Sequence, residues 1–155
     1  MTVTSISEIR DLDLELEVEG LYSPALAYHN FQHAQDTISA AEHITRRCLD
    51  EGIRVDHNVV YYALLFHDAG FYDDHQSLGF KTKEAYSADL ASIRLRERDV
   101  PPKTVDNVTA AILSTHKDAN FVTVEQKAVR AADLSGLAAN YDVFKKNTAD
   151  LKAEH

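Results

Sequence analysis

The feature that most constrains this chain is a run of apolar residues spaced for one face of an α-helix. Between Phe31 and Cys48 these residues recur at steps of three and four, which is the period of a helix face. Gly52 follows at the position where a left-handed residue commonly ends a helix. No pair of alternating Val, Ile, Thr or Tyr runs flanks an Asn-Gly or Asp-Gly turn. The sequence therefore predicts an all-α fold.

Five further helices are predicted from capping residues and apolar spacing. The predicted bounds are a first helix from the Ser5–Glu8 capping box to Gly20, a third from Asp56 to Ala69-Gly70, a fourth from Lys83 to Arg98, a fifth starting at Pro101-Pro102, and a sixth starting at the Thr123–Gln126 capping box. The apolar stripe of the fifth helix carries Val105, Val108, Ile112 and His116, and the inner face of the sixth carries Val129, Ala132, Asp133 and Leu137.

The length and composition are those of one globular domain. A chain of 155 residues that is 45% hydrophobic and 26% charged can bury a sizeable core. We expect a single helical-bundle domain over residues 1–155, with its core at about 22–141. The helical pattern that begins at Tyr141 still continues where the sequence stops at His155, which leaves open a truncated C-terminus.

Charge, hydropathy and cysteine content exclude several classes of function. A net charge of −9 with histidine neutral opposes binding to a nucleic-acid polymer. The longest apolar stretch, residues 59–66, is far shorter than the roughly 20 residues that cross a bilayer, and no targeting signal is visible. We therefore expect a cytoplasmic protein that does not enter a membrane.

Cys48 is the only cysteine, so a metal would need nitrogen and oxygen ligands. The sequence does not indicate an oligomeric state.

Two histidines and two aspartates occupy positions that suit a metal site. His33 lies near the start of the second helix, His67-Asp68 close the apolar run of the third, and Asp133 lies in an apolar part of the sixth. A buried carboxylate is costly unless it is paired or bound to a metal. Plainer interpretations are a helix C-terminal cation for His67 and an ion pair with Arg130 for Asp133. Together the four favour a divalent ion: Mn, Mg, Fe, Zn, Co or Ni.

These residues, with the opening segment Tyr28-His29-Asn30-Phe31-Gln32-His33-Ala34, resemble the HD superfamily of metal-dependent phosphohydrolases. The closest resemblance is to its small stand-alone members, and it covers about residues 22–141. It implies that His33, His67, Asp68 and Asp133 bind the metal, with Asp68 able to bridge two ions. It also implies a phosphohydrolase in which metal-activated water attacks the phosphorus of a small phosphorylated substrate, which we expect to be a nucleotide.

The opening segment is also similar to that of cyclic-nucleotide phosphodiesterases, in which the first histidine is the general acid and the second binds metal. By that resemblance His29 is the candidate acid. Its offset of four residues from His33 places both on one side of a helix. A plainer role for His29 is to shape the start of that helix.

Three further kinds of residue are candidates for the site. Glu84 matches an acidic position of the small HD phosphohydrolases and is a candidate catalytic residue, or an acid that favours a helix N-terminus. His116 is a candidate ligand of a second metal or a contact for a substrate phosphate, or a core histidine. Lys81, Lys83 and Lys117 follow the motif segments and could approach a phosphate as point charges, or lie in solvent.

Fold and ligand set do not fix the reaction. The same ligands would serve other HD-fold chemistry, such as that of a di-iron oxygenase or a hydratase. A site without its acid or second metal would serve as a non-catalytic sensor that binds a metal or a nucleotide. The two carboxylates formally cancel one divalent ion, so such a site attracts a phosphate weakly. Because few further histidines are available as ligands, we expect one tightly held metal and at most a second that binds loosely.

Overall fold

The computed structural model describes residues 3–137 and 141–154, and over these ranges the chain is helical with no strand. The elements are a 3₁₀ turn at Ile6–Glu8, α1 at Leu12–Glu19, α2 at Phe31–Asp50, α3 at His57–Phe66, α4 at Lys83–Glu97, α5 at Pro102–Leu113, α6 at Val124–Leu134, a 3₁₀ turn at Ser135–Leu137 and α7 at Tyr141–Glu154. The all-α prediction is confirmed. No helix in the described ranges is long and apolar enough to cross a membrane.

Helix α3 is the central element of the bundle. Its side chains at 59–61 and 63–66 are each at most 1% exposed, and it packs against α1, α2, α4, α5 and α6. A helix that is apolar on nearly all sides is stable only when other helices cover it. The turn that follows α3 is therefore held inside the bundle, and His67 and Asp68 lie in that turn.

Helices α2 and α6 pack on α3 and on each other, which brings their polar residues to the end of α3. The side chain of Asn30 caps α2 by accepting the backbone N–H of His33 at 3.0 Å. Thr123 caps α6, as predicted. The inner face of α6 buries Val129 and Ala132, whereas the side chain of Leu137 lies outside the described residues.

The predicted start of the first helix is wrong. The side chain of Ser5 makes no capping hydrogen bond, and Ile6–Glu8 form only a 3₁₀ turn. Instead, Oγ1 of Thr4 donates to the Glu8 carboxylate at 2.7 Å. Helix α1 begins after Asp11, whose side chain caps it. The buried apolar residues of α1, Leu14 and Val18, nevertheless join the same hydrophobic cluster as those of α2 and α3.

Two helices end earlier than predicted. Helix α3 ends at Phe66 rather than at Ala69-Gly70, and α5 ends at Leu113, so His116 lies beyond the helix. The end of α5 is held by Arg130 of α6, whose guanidinium donates to three carbonyls in the following turn at 2.9 to 3.5 Å. The other predicted boundaries are confirmed to within a few residues.

Candidate metal centre

The four predicted ligands converge at the end of α3. His33 comes from α2, His67 and Asp68 from the turn after α3, and Asp133 from α6, and their ligand atoms all lie within 4.8 Å of one another. Nε2 of His33 and Nε2 of His67 lie 3.2 and 3.1 Å from Oδ1 of Asp133. The predicted convergence is confirmed, although 100 positions separate His33 from Asp133.

The cluster is largely shielded from water. The side chain of His67 is fully buried, and those of His33, Asp68 and Asp133 are 9%, 12% and 20% exposed. Charges in such surroundings are screened much less than charges at the surface. The protonation states of His67, Asp68 and Asp133 therefore depend strongly on one another.

The hydrogen bonds of His67 fix which of its nitrogens faces the carboxylates. Nδ1 lies 2.7 Å from the carbonyl oxygen of Leu64, and because a carbonyl can only accept, Nδ1 carries a proton. Nε2 lies 3.1 Å from Asp68 Oδ2 and 3.1 Å from Asp133 Oδ1. In a neutral imidazole this nitrogen would be an acceptor facing two anionic oxygens. A proton or a metal ion must therefore lie at this position.

The charges of the cluster shift its pKa values in the directions that this geometry requires. Burial lowers the pKa of His67, but the carboxylates of Asp68 and Asp133 outweigh it and raise that pKa well above 6.5. Burial raises the pKa of each carboxyl group, but the neighbouring imidazoles hold both pKa values below their usual range. Without a metal, an imidazolium and two carboxylates occupy the site.

The donor geometry fits a divalent metal. Bonds of about 2.0–2.2 Å to nitrogen and oxygen place neighbouring ligand atoms about 2.8–3.6 Å apart in octahedral or tetrahedral coordination. The four separations between an imidazole nitrogen and a carboxylate oxygen run from 3.1 to 3.6 Å, and all ligand atoms lie within 4.8 Å of one another. Oδ2 of Asp68 is buried and faces Nε2 of His67 and of His33 at 3.1 and 3.6 Å, which are the nitrogens that would share an ion with it.

His29 lies beside the four ligands but is not one of them. Its ring centroid is 6.1 Å from that of His33, and its Nδ1 lies 2.5 Å from Oε2 of Glu154 at the end of α7. Oε1 of Glu154 accepts the backbone N–H of His29 at 2.6 Å and also that of Tyr28. The Glu154 side chain is only 2% exposed. The sequence analysis missed Glu154, because a contact across 125 positions leaves no periodic signal.

The flat face of His29 is also covered. Its imidazole stacks on the ring of Phe71, with a centroid distance of 3.7 Å and an angle of 13° between the planes. Lys83 donates from Nζ to the Phe71 carbonyl and lies 4.6 Å from the centroid of the same ring. Lys83 is therefore engaged with Phe71 rather than directed into solvent, and Phe71 is a second residue that the sequence analysis missed.

The remaining candidates lie apart from the cluster. Glu84 is half-buried in the first turn of α4, and no hydrogen bond within the described ranges joins it to the four ligands. His116 accepts the backbone N–H of Asp118 at Nδ1, 3.2 Å away, and does not join them either. The interpretation of Asp133 as an ion pair with Arg130 is wrong, because that guanidinium is committed to the end of α5.

A cavity of about 390 Å³ opens beside His33, between the start of α2, the turn after α6, and α7. Its volume is within the usual range for small-molecule sites. Most of its polar lining comes from Asn30, Asp36, Ser135, Lys146 and Asp150.

Comparison with protein-family models, with curated proteins and with solved structures finds no match for this chain. The resemblance to the HD superfamily therefore remains a prediction from the motif residues. The assignment of a candidate metal site rests on the distances within the four-residue cluster.

Proposed function

We propose that this protein is a metal-dependent phosphohydrolase of the HD type that acts on a small phosphorylated molecule of the nucleotide class. The observation that carries the proposal is the arrangement of two histidines and two aspartates around one point, with His29 beside them and outside the ligand set. A metal-binding role alone would not call for a further, hydrogen-bonded histidine at that place.

The four clustered side chains would hold the metal. His67 is oriented for this by the carbonyl of Leu64, an arrangement that commonly fixes the tautomer of a metal-binding histidine. A divalent ion held there would supply Lewis-acid polarisation of a phosphoryl oxygen and activation of water for attack on phosphorus. By the resemblance to the HD superfamily, the carboxylate of Asp68, whose Oδ2 faces both imidazoles, would contact a second ion as well.

His29 would donate the proton that the leaving oxygen needs. Its Nδ1 is held by the Glu154 carboxylate, which leaves Nε2 as the nitrogen that can reach a substrate. A positioned histidine can act as a general acid, and such a residue contributes about 10²–10⁴-fold to turnover. The cavity beside His33 would receive the organic part of the substrate, and its volume of about 390 Å³ suits a nucleotide.

The test is a hydrolysis screen of nucleotides and phosphomonoesters, using protein loaded in turn with each candidate metal. His29→Ala should keep the bound metal, measured by elemental analysis, and lose about 10²–10⁴-fold in turnover. His43→Ala is the matched control, since His43 is an exposed histidine on α2, whereas His29 precedes that helix and does not share a helix face with His33 as predicted. Metal loss in His29→Ala would place His29 among the ligands, and an inactive wild type with every metal would refute the proposed function.

A further inference from the structure

We propose that Phe71 and Lys83 are positioning residues that hold the plane of the His29 imidazole. This inference rests on the proposed function, in which His29 donates a proton to the leaving group. Neither residue is a ligand of the metal centre, and their contribution would be to the alignment of the acid.

The backbone that carries Phe71 is braced by one face of α4. Lys83, Tyr86 and Ser87 lie three and four residues apart and so share a helix face. Ser87 Oγ accepts the buried N–H of Gly70 at 2.9 Å, and a Cβ on Gly70 would lie only 2.5 Å from a ring carbon of Tyr86. Lys83 donates to the carbonyl of Phe71 itself. The position of the Phe71 ring is thus set by α4 and not by the exposed loop that follows.

The Phe71 ring supplies a constraint that Glu154 cannot. A single hydrogen bond at Nδ1 fixes one atom of the His29 ring, but the ring can still tilt about that bond. The stack at 3.7 Å and 13° fixes the plane, and Lys83 at 4.6 Å from the Phe71 centroid stabilises the stack from the side of α4. Glu154 and Phe71 together leave His29 one orientation.

Orientation matters because proton transfer requires hydrogen-bond geometry at the leaving oxygen. A displacement of about 1 Å can cost on the order of 100-fold in rate. The cost should appear only when the leaving group needs a proton. An alkyl phosphate, whose alkoxide leaves poorly, depends on the acid, whereas a nitrophenyl phosphate leaves as a stable anion and does not.

The experiment compares Phe71→Leu and Lys83→Met with the wild type on an alkyl phosphate and on nitrophenyl phosphate. We expect kcat on the alkyl phosphate to fall by about 10- to 100-fold for Phe71→Leu and by less for Lys83→Met. KM, metal content and turnover of nitrophenyl phosphate should stay near wild type, and Lys83→Arg should restore activity. Tyr72→Leu and Lys103→Met are matched controls, since Tyr72 is 59% exposed and Lys103 is also exposed.

A double variant separates positioning from a structural role. In a His29→Ala background, Phe71→Leu should cause no further loss on the alkyl phosphate, because no acid remains to be aligned. Equal losses on both substrates, or the same loss with and without His29, would overturn the proposal. Lys83→Met, which removes no core residue, keeps the test decisive if Phe71→Leu fails to fold.

An NMR measurement decides the inference without any turnover. The proton shared by His29 Nδ1 and Glu154 should give a sharp downfield resonance in the wild type and in Tyr72→Leu, and a broadened or shifted one in Phe71→Leu and Lys83→Met. If that resonance is unchanged in both variants, the proposal is wrong. If the wild type hydrolyses no phosphoester with any metal, the proposed function is refuted. The NMR measurement would then still test whether Phe71 and Lys83 position the His29 ring.

Discussion

Metal binding should release about one proton per ion near neutral pH. In the metal-free protein His67 is doubly protonated, because its pKa is raised well above 6.5 and its two nitrogens face the Leu64 carbonyl and two carboxylates. The proton on Nε2 occupies the position that a bound ion would take. Asp68 and Asp133 are already ionised, since their pKa values are lowered, and they release none. The structure therefore predicts the release of about one proton for each ion that binds.

The pH dependence of the metal affinity follows from proton linkage. One displaced proton makes the apparent affinity rise by about tenfold per pH unit while the pH is below the folded-state pKa of His67. Calorimetric titration of Mn²⁺ or Zn²⁺ in buffers of different ionisation enthalpy gives the released protons as a slope. His43→Ala is the control, since it removes an exposed histidine outside the cluster. A binding enthalpy that does not depend on the buffer near neutral pH would refute this account of His67.

The same groups set the pH dependence of stability in the metal-free protein. Because the folded-state pKa of His67 is raised, its contribution is fully present below 6.5 and is lost as the pH rises through that higher pKa. The lowered pKa values of Asp68 and Asp133 act in the opposite sense, and their contribution is present above 3.8 and lost at more acidic pH. Thermal melts should show the metal-free optimum on the acidic side of neutrality, with bound metal stabilising most at higher pH.

Three further substitutions, one of them with a matched control, test individual contacts. Arg130→Ala should destabilise the fold by about 1–3 kcal/mol in denaturant titrations, because three carbonyls after α5 lose their donor, while metal content stays unchanged. Gly70→Ala should cost about 1–3 kcal/mol through overpacking, whereas Gly20→Ala, with φ of −65° and no atom nearer than 3.4 Å, should be neutral or stabilising. Glu154→Gln should lower turnover on the order of tenfold with metal retained, and unchanged turnover would show that His29 does not depend on that carboxylate.

The features that the sequence predicted well are those with a repeating or complementary signal. The three- and four-residue spacing of α2 and the apolar run of α3 report burial directly, and the structure confirms both helices. The convergence of His33, His67 and Asp133 was predictable from the resemblance of their order and spacing to the HD superfamily motif, whereas burial indicated only that each polar group needs a partner.

The features that the sequence did not predict depend on long-range contacts. The Ser5–Glu8 pattern satisfies a local rule, yet Ile6–Glu8 form only a 3₁₀ turn, because Thr4 donates to Glu8 and the distant Glu42 accepts the N–H groups of Ile6 and Ser7. A local pair of Arg130 with Asp133 was plausible by spacing, but carbonyls at the end of another helix compete successfully for the guanidinium. Glu154 reaches His29 only because of where α7 packs, and spacing within α7 carries no information about that position.

The charge around the cluster bears on how a phosphate could be held there. In the metal-free protein one imidazolium partly offsets two carboxylates, and one divalent ion would leave the ligand set formally neutral, so neither state attracts a dianion strongly. Of the lysines considered for phosphate binding, Lys83 is engaged with Phe71, and Lys81 and Lys117 are exposed. Glu154 adds a further buried acid beside His29. Lys146 lines the cavity beside His33 but forms an ion pair with Asp150. Because these lysines are paired or exposed, binding of a phosphate monoester would need a second, loosely bound ion, and the carboxylate of Asp68 could contact such an ion.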